Sequence, residues 1–561
     1  MKKNHLQIAA FLTFAVLCCG LNFTVITAQE TNREKIIVKP SPMRTLTPKP
    51  TVAPTIIPTP TPMPVPTPVP IQTVADLQSK IRAVLARSEL RRGSVGIKIV
   101  SLDTNRTIFE DNAEKYFMPA SNMKSYTVAA AMEKLSPDFR FRTSVYAASM
   151  PDASGTIRGD LTIYGRGDVS FSTAFYDGDY YKGLNALADK IALAGVKRIE
   201  GNLVGDESYY TGNPIPANWE WDDLQWYYGA EISALAINDN AVDLSVKPGA
   251  LNSPCAVQIL PANAVMKIVN RCVTSAAGAK RDLQIVKKLD QNSLEINGTL
   301  PFDDKEGFAG HVAVSRPALL FVEMLRGLLI KKGVTITGQN KVVNQKDKEV
   351  LAAVSSTPPV EITRVESPPF SLIAAKTMKP SQNTYTETIL WTLGEQIGRQ
   401  QELTAAVDEF SIKKLQKTSS AELGLKSVQK FLIEIGIAPD SVIQWDGSGL
   451  SRHNLITPAS AVQLYTFMSK SRYAMTWRDS LTVGAVDGTL RNRFKDTIAA
   501  GNVRGKTGTI DQVSSLSGYV TTASGERFVF SILVNGVNTV RIRQAAIDEI
   551  VVALAGFHGK P

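Results

Sequence analysis

Apolar positions along the chain recur with two different spacings, which predict a mixture of helices and strands. Apolar residues three and four apart predict helices over 75–90, 181–195, 318–333, 384–398, 420–436 and 539–557. Strand-like runs cover 94–104 and 139–148, and two alternating runs flank residues 523–525, which is typical of a hairpin. The mixture predicts an α+β fold in which helices pack on the faces of an antiparallel sheet, rather than a series of βαβ units.

The first 72 residues have a different pattern from the rest of the chain. Lys2, Lys3 and His5 precede an apolar run at 8–28, which predicts a signal peptide over 1–28 or, as the run is long enough to span a bilayer, a retained membrane anchor. Pro and Thr dominate residues 39–70, so we expect 29–72 to be an extended linker rather than part of a core. The linker would hold a folded unit away from a membrane, or it is a disordered arm without that role.

Length and charge narrow the classes of function. A chain of 561 residues is expected to form two or more folded units. Its net charge of +10 either favours binding to an anionic polymer or serves solubility alone. Nucleic acid is not favoured as the binding partner, because no basic block is interleaved with aromatic residues. Cys255 and Cys272 are the two cysteines beyond the N-terminal run, and in an exported protein they form either a disulfide or a pair of unpaired buried thiols.

Several common catalytic and metal-binding patterns are missing from the sequence. The four histidines form no HExxH motif and no zinc-type cluster with cysteines, and no GxSxG or GxxxxGK[ST] motif occurs, so we predict no metal and no cofactor. A serine–histidine triad would have to use His311 or His453. Neither lies in a recognisable context, and both are interpreted as surface or packing residues.

A three-part set of motifs carries the candidate chemistry. Ser121 and Lys124 lie three residues apart at the start of a predicted helix, so they share a face, and a neutral lysine there can take the serine's proton. The same spacing recurs at 411–414 and 427–430, in polar helical regions that we interpret as solvated faces. The other two parts each occur once: Ser381-Gln382-Asn383 and Lys506-Thr507-Gly508.

The third motif suits recognition of a peptide that ends in a carboxylate. The segment 503–509 reads as a short strand whose backbone can pair with an extended peptide. Lys506 supplies a positive charge, Thr507 and Thr509 supply hydroxyls, and Gly508 would allow the substrate backbone to approach. The backbone N–H groups of Ser121 and Thr509 are the candidate oxyanion donors.

In this order the three motifs resemble those of the serine penicillin-recognising enzymes. The resemblance is closest to the class C low-molecular-mass penicillin-binding proteins, the D-alanyl-D-alanine carboxypeptidase/endopeptidases of peptidase family S13. It covers 75–556 and includes the stretches WYYGAEISALAINDNAVDL, WDGSGLSRHNLITP, VGAVDGTLRNRF and GNVRGKTGTIDQVSSLSGYV. It implies a transpeptidase/β-lactamase-like catalytic domain over 73–150 and 360–561. A large, mostly β insertion over 151–359 would form two domains, one nested in the other.

The resemblance also implies the reaction and its residues. Ser121 would be acylated, Lys124 would act as general base, and Ser381 (a proton relay), Asn383 (which holds Lys124 and the substrate amide) and Lys506 would complete the site. Peptidoglycan stem peptides would be the substrate and β-lactams would be inhibitors, in the periplasm or elsewhere in the cell envelope outside the cytoplasmic membrane.

One acidic residue of the insertion is a candidate for substrate specificity. Family members that cleave meso-diaminopimelate peptides use an acid from the inserted domain to bind the free amino end of that side chain. Asp223 is the best match and Asp222 the next, with a solvated acidic pair as the alternative. A β-lactamase and a non-catalytic wall-binding protein of the same fold are the alternative functions, and the oligomeric state stays open.

Overall fold

The computed structural model describes residues 71–352, 358–406 and 408–560. The predicted signal peptide or anchor, and nearly all of the predicted linker, therefore lie outside the described residues. Within those ranges, no helix combines the length and the apolar character that crossing a bilayer requires.

The helices and strands alternate irregularly along the chain. The helices are α1 Val74–Leu85, α2 Lys124–Leu135, α3 Lys182–Leu193, α4 Pro317–Lys331, α5 Gln345–Ala352, α6 Phe370–Met378, α7 Asn383–Leu393, α8 Arg399–Ala405, α9 Glu409–Lys417, α10 Ser420–Glu434, α11 Pro458–Lys470, α12 Ala474–Ser480 and α13 Val540–Ala555. The strands are β1 Ser94–Ser101, β2 Thr107–Asp111, β3 Arg142–Ala147, β4 Thr156–Ile157, β5 Leu161–Tyr164, β6 Arg198–Ile199, β7 Leu203–Asp206, β8 Ala241–Lys247, β9 Ala256–Leu260, β10 Lys267–Ser275, β11 Asp282–Lys287, β12 Ser293–Pro301, β13 Phe308–Ala313, β14 Thr335–Ile336, β15 Asn340–Val343, β16 Val360–Glu366, β17 Val442–Ile443, β18 Leu455–Ile456, β19 Thr482–Val483, β20 Arg504–Ile510, β21 Val513–Thr521 and β22 Arg527–Asn535.

An antiparallel sheet of six strands joins the two ends of the described chain. Its order is β19-β20-β21-β22-β1-β2, so the C-terminal hairpin pairs with the first strand. Side chains of β22 alternate between two cores: Phe528 and Phe530 pack with α1 and α13, whereas Val529 and Leu533 pack with the helices on the other face. This alternation confirms the predicted antiparallel sheet with helices on its faces.

A second sheet of five strands combines β3 and β16 with three strands of the predicted insertion. Its order is β15-β7-β5-β3-β16, and α3 and α4 share its apolar core through Leu187, Ile191 and Phe321. Strands β3 and β16 lie in the ranges that the sequence assigned to the catalytic domain, yet both pair within this sheet. Their pairing favours domain boundaries just before Arg142 and just after Glu366, and the boundaries themselves stay a prediction.

The segment from β8 to β13 forms two further sheets of three strands each, in the orders β13-β8-β9 and β10-β12-β11. Strand β7 precedes this segment and β15 follows it after α4 and β14, and the two strands pair with each other in the second sheet, which favours the predicted nesting of one inserted domain in the other. Cys255 and Cys272 are joined in a disulfide, with their Cα atoms 5.3 Å apart. The two cysteines therefore form a disulfide rather than a pair of unpaired buried thiols.

Two sequence interpretations in the helical layer were wrong. The helix predicted to end at Gly398 instead continues from α7 through a π-helical turn, Gly394–Gly398, into α8. A Cβ atom at Gly398 would lie 2.7 Å from the Leu423 carbonyl oxygen, so this glycine permits close packing against α10 rather than ending the helix. Ser427 is buried and bonds the Leu423 carbonyl at 2.9 Å, so it does not lie on a solvated face.

Candidate active site

Ser121 and Lys124 meet where a short helical turn enters α2. Residues Ala120–Met123 form a 3₁₀ turn, and Lys124 is the first residue of α2. The Lys124 Nζ lies 3.0 Å from the Ser121 Oγ, as the three-residue spacing predicted. Lys124 is fully buried, whereas Ser121 retains some exposure to solvent. The pair therefore combines a desolvated amine with an accessible hydroxyl.

Lys124 has two further partners, both distant in sequence. Its Nζ donates to the Asn383 Oδ1 at 2.6 Å and to the Ser448 carbonyl oxygen at 2.8 Å. A neutral amine has two N–H groups and one lone pair, so these two acceptors use both donors and leave the lone pair for the Ser121 hydroxyl. Burial lowers the pKa of Lys124 to about 7, against the opposing attraction of the Asp446 and Glu387 carboxylates.

The Ser448 carbonyl is held in place by a buried carboxylate. Glu387 on α7 accepts the Gly447 N–H at 3.0 Å and the Ser448 N–H at 2.7 Å. Burial and the neighbouring Asp446 raise the pKa of Glu387. Sequence reasoning missed these supporting residues, and the Asp-Gly-Ser-Gly run at 446–449 was the local signal that could have indicated a turn there.

The second and third motifs meet on the other side of this pair. Lys506 is fully buried, and its Nζ donates to the Ser381 Oγ at 2.8 Å and to the Thr507 carbonyl at 2.9 Å. Burial holds the pKa of Lys506 well below its ordinary value, and repulsion from Lys124 lowers it further. The structure thus brings Ser121, Lys124, Ser381, Asn383 and Lys506 into one site.

Strand β20 presents most of one edge to this site. The short strand β19 pairs with β20 only at Arg504 and Gly505, while β21 pairs along the whole of its other side. Thr509 is exposed on this strand, whereas Thr507 is buried and its hydroxyl lies 2.6 Å from that of Thr489. The edge beyond Gly505 is therefore not paired by β19, which is compatible with the predicted pairing of an extended peptide there.

Gly508 is required for a reason that the sequence did not indicate. A Cβ atom at this position would lie 2.3 Å from the Pro119 carbonyl oxygen and 3.1 Å from the Ala120 Cβ. Gly508 thus allows a close approach between β20 and the segment that carries Ser121, and its predicted approach to a substrate backbone stays a prediction. A side chain here would push the nucleophile away from the strand.

The segment that carries Asp223 reaches the site from the insertion. Asp223 is buried, its backbone carbonyl accepts the Trp226 N–H at 3.0 Å, and Asp222 is half-buried. Five residues beyond Asp223, the Tyr228 carbonyl accepts a hydrogen bond from the Asn383 Nδ2 at 2.9 Å. The structure therefore joins this segment to the second motif.

The two candidate triad histidines make other contacts. His311 Nδ1 lies 2.6 Å from Asp243 across the β8–β13 pair, and this carboxylate raises the pKa of the ring. His453 lies beside the indole of Trp445, with ring centroids 5.7 Å apart. These contacts agree with their interpretation as surface or packing residues, and Ser121 has Lys124 as its partner instead.

Comparison with known protein families agrees with this arrangement. Residues 77–556 match the family model described as the D-Ala-D-Ala carboxypeptidase 3 (S13) family. The chain belongs to this family. The family resemblance found in the sequence is thereby confirmed, together with the prediction of a serine-type D-Ala-D-Ala carboxypeptidase, and the β-lactamase alternative is not favoured.

Relatives and solved structures cover nearly the same range. The chain is 32% identical over 501 residues to a D-alanyl-D-alanine carboxypeptidase of Actinomadura sp. (strain R39), covering 87% of this chain and 86% of that one. It is 25% identical to D-alanyl-D-alanine carboxypeptidase DacB of Haemophilus influenzae, covering 80% and 87%. The crystal structure of penicillin binding protein 4 (dacB) from H. influenzae superposes with a TM-score of 0.69 at 22% identity, covering 86% of this chain and 98% of that one. This likeness confirms the predicted fold class.

Proposed function

We propose that this protein is an exported serine D-alanyl-D-alanine carboxypeptidase and/or D,D-endopeptidase that acts on peptidoglycan stem peptides through an acyl-enzyme on Ser121. The observation that carries the proposal is the three-way contact of the Lys124 Nζ with Ser121, Asn383 and Ser448. Burial lowers the pKa of Lys124 to about 7, and in its neutral form the amine can donate to Asn383 and Ser448 and keep its lone pair toward the hydroxyl that must lose a proton.

In the first step, Lys124 takes the Ser121 proton while Oγ attacks the carbonyl carbon between the two D-Ala residues. The Ser121 and Thr509 N–H groups would stabilise the oxyanion. The C–N bond then breaks, and the proton reaches the leaving amine through the Ser381 hydroxyl. D-alanine departs, and in the second step water hydrolyses the ester and restores the Ser121 hydroxyl.

Lys506 and the hydroxyl of Thr509 would hold the terminal carboxylate, with Thr507 supporting the strand through Thr489. An arriving carboxylate favours the charged form of Lys506. Because charges on Lys506 and Lys124 repel each other, a charged Lys506 favours a neutral Lys124. Substrate binding and activation of the base therefore support each other.

The test is a fluorescent penicillin, because a strained lactam should acylate Ser121 and deacylate slowly. We expect Ser121→Ala to abolish both labelling and D-Ala release, and mass spectrometry should map the wild-type adduct to Ser121. Ser427→Ala is the matched control, since Ser427 and Lys430 share the three-residue spacing, and it should keep both activities. D-Ala release by Ser121→Ala at the wild-type rate would contradict the assignment, and rapid turnover of penicillin without a trapped adduct would indicate a β-lactamase.

Asp223 is proposed to bind the free amino group of a diaminopimelate side chain. Its burial supports this role, because the attraction between a carboxylate and an ammonium group is stronger in the low dielectric of a protein interior than in water. Asp223→Ala should lower kcat/KM for diaminopimelate peptides by about 10-fold or more, whereas Asp222→Ala should have little effect. Equal losses on a substrate without that side chain would contradict the specificity role.

Export to the periplasm or cell envelope is proposed from the N-terminal pattern and from the Cys255–Cys272 disulfide, which needs an oxidising compartment to form. The 29–72 linker would let the catalytic unit reach on the order of 100 Å from a membrane if 1–28 is retained as an anchor. N-terminal sequencing of the mature protein from cell envelopes separates the two cases: a start after residue 28 indicates cleavage, and an intact N-terminus indicates anchoring.

A further inference from the structure

The predicted insertion contacts the Ser381–Asn383 segment through a turn that belongs to none of the three motifs. A turn at 238–240, just before β8, places three consecutive residues in the left-handed region, with φ of 46° for Asn238, 60° for Asp239 and 56° for Asn240. Asn and Asp adopt this conformation more readily than other non-glycine residues, but usually as single residues, so three in succession must be held by their surroundings, and such positions cluster at functional sites. The turn is therefore a candidate for a role beyond connecting two elements.

Hydrogen bonds to other residues of the predicted insertion hold this turn in place. The Asn238 N–H donates to the Phe171 carbonyl at 2.9 Å. The Asn240 side chain accepts the Ile237 N–H at 3.1 Å and donates to the Glu231 carbonyl at 2.8 Å. Because both flanking residues are anchored, Asp239 is held in one position relative to the inserted domains.

The Asp239 carboxylate points at the start of α7. Its Oδ2 accepts the Gln382 Nε2 at 2.7 Å, and its Oδ1 accepts the hydroxyls of Ser172, at 2.7 Å, and Tyr385. Gln382 is the middle residue of the Ser381-Gln382-Asn383 motif, and Tyr385 lies three residues further along, on the same face of the helix. One carboxylate from the insertion therefore links two residues on either side of Asn383.

Ser381 and Asn383, which lie next to the contacts of Asp239, must each be placed accurately against a lysine of the site. Ser381 is itself left-handed, with φ of 69°, and its hydroxyl meets the Lys506 Nζ at 2.8 Å. Asn383 meets the Lys124 Nζ at 2.6 Å. Displacement of a reacting group by about 1 Å can cost on the order of 100-fold in rate, so a fixed anchor for this segment matters to the chemistry.

We propose that Asp239 is a positioning residue, through which the insertion fixes the Ser381–Asn383 segment relative to Lys124 and Lys506. This inference rests on the proposed function, because it concerns the same acyl transfer. It gives the insertion a part in the reaction itself, through a carboxylate that touches none of the reacting atoms.

Substitutions at Asp239 that remove its hydrogen bonds to different extents can test this role. Asp239→Ala removes the acceptor for all three donors. Asp239→Asn keeps the shape, and its oxygen can still accept from Ser172 and Tyr385. Its NH₂ group would then face Gln382, whose Oε1 is buried and without a hydrogen-bond partner among the described residues, so a flip of the Gln382 amide restores the link. Asparagine should therefore rescue most of what alanine loses.

The experiment measures the rate constant for acylation by a fluorescent penicillin, kcat and KM for D-Ala release, and the thermal midpoint. Asp239→Ala should lower the acylation rate constant and kcat by about 10-fold or more, with a smaller change in KM, and Asp239→Asn should recover to within about 3-fold of wild type. The matched control is Asp243→Asn, in the same inserted segment, where the carboxylate pairs with Tyr180 and His311; it should react like wild type.

Three outcomes would overturn the proposal: a folded Asp239→Ala that acylates within about 2-fold of wild type, an Asp239→Asn as slow as alanine, or an Asp243→Asn that loses as much as Asp239→Ala. Should Asp239→Ala fail to fold, Gln382→Ala removes the link from the other side and must slow acylation for the proposal to stand. Wild-type protein that is neither labelled at Ser121 nor able to release D-Ala would instead refute the proposed function.

Discussion

The strongest quantitative prediction concerns pH, because Lys124, the proposed base that activates Ser121, is buried. Burial lowers the pKa of Lys124 to about 7, and only the neutral amine can accept the hydroxyl proton. Folded protein should therefore gain acylation activity as pH rises through this value and lose it as pH falls. An ordinary lysine, with a pKa near 10.4, would stay charged over the same range.

The expected size follows from the neutral fraction. With a pKa of about 7, roughly one tenth of Lys124 is neutral at pH 6 and roughly nine tenths at pH 8, so the acylation rate constant should rise about 10-fold between them. Stopped-flow mixing with a fluorescent penicillin at pH 5.5–8.5 measures this directly. Thermal melts at both ends of the range establish that the protein is folded throughout.

Lys124→Arg is the control that separates a proton acceptor from a positive charge. Arginine keeps the charge but cannot lose its proton in this range, so the variant should acylate negligibly at every pH. A flat wild-type profile, an inflection near pH 10, or an arginine variant that acylates at the wild-type rate would refute the argument that burial makes Lys124 neutral.

Two more predictions concern packing at Gly508 and the Cys255–Cys272 disulfide. Gly508→Ala should lower the acylation rate constant by about 10-fold or more, because its Cβ would lie 2.3 Å from the Pro119 oxygen. The control is Gly327→Ala on α4, which has open space around it and should leave the acylation rate constant unchanged. Equal effects of the two substitutions would contradict the packing argument. Replacing both Cys255 and Cys272 by Ser removes a bridge across 17 residues and should cost roughly 3 kcal/mol of unfolding free energy in denaturant titrations, with little change in D-Ala release. An unchanged midpoint under non-reducing conditions would speak against that value.

Local patterns in the sequence were sufficient for those features that depend on neighbouring residues. The Ser121–Lys124 contact follows from helical spacing, and the C-terminal hairpin follows from alternation around 523–525. The three motifs and their order also predicted the family, because each motif is short and contiguous. These features require no knowledge of which distant segments meet.

Tertiary structure decided everything that depends on contacts between distant segments. The family resemblance implied that Asn383 holds Lys124, but the two residues are 259 residues apart and nothing in either segment's periodicity indicates that they touch. The same holds for the pairing of β3 and β16 with inserted strands, for the closeness of Gly508 to Pro119, and for the link from Asp239 to Gln382. Periodicity reports which face of an element is buried, whereas the partner of that face is fixed only when the whole chain packs.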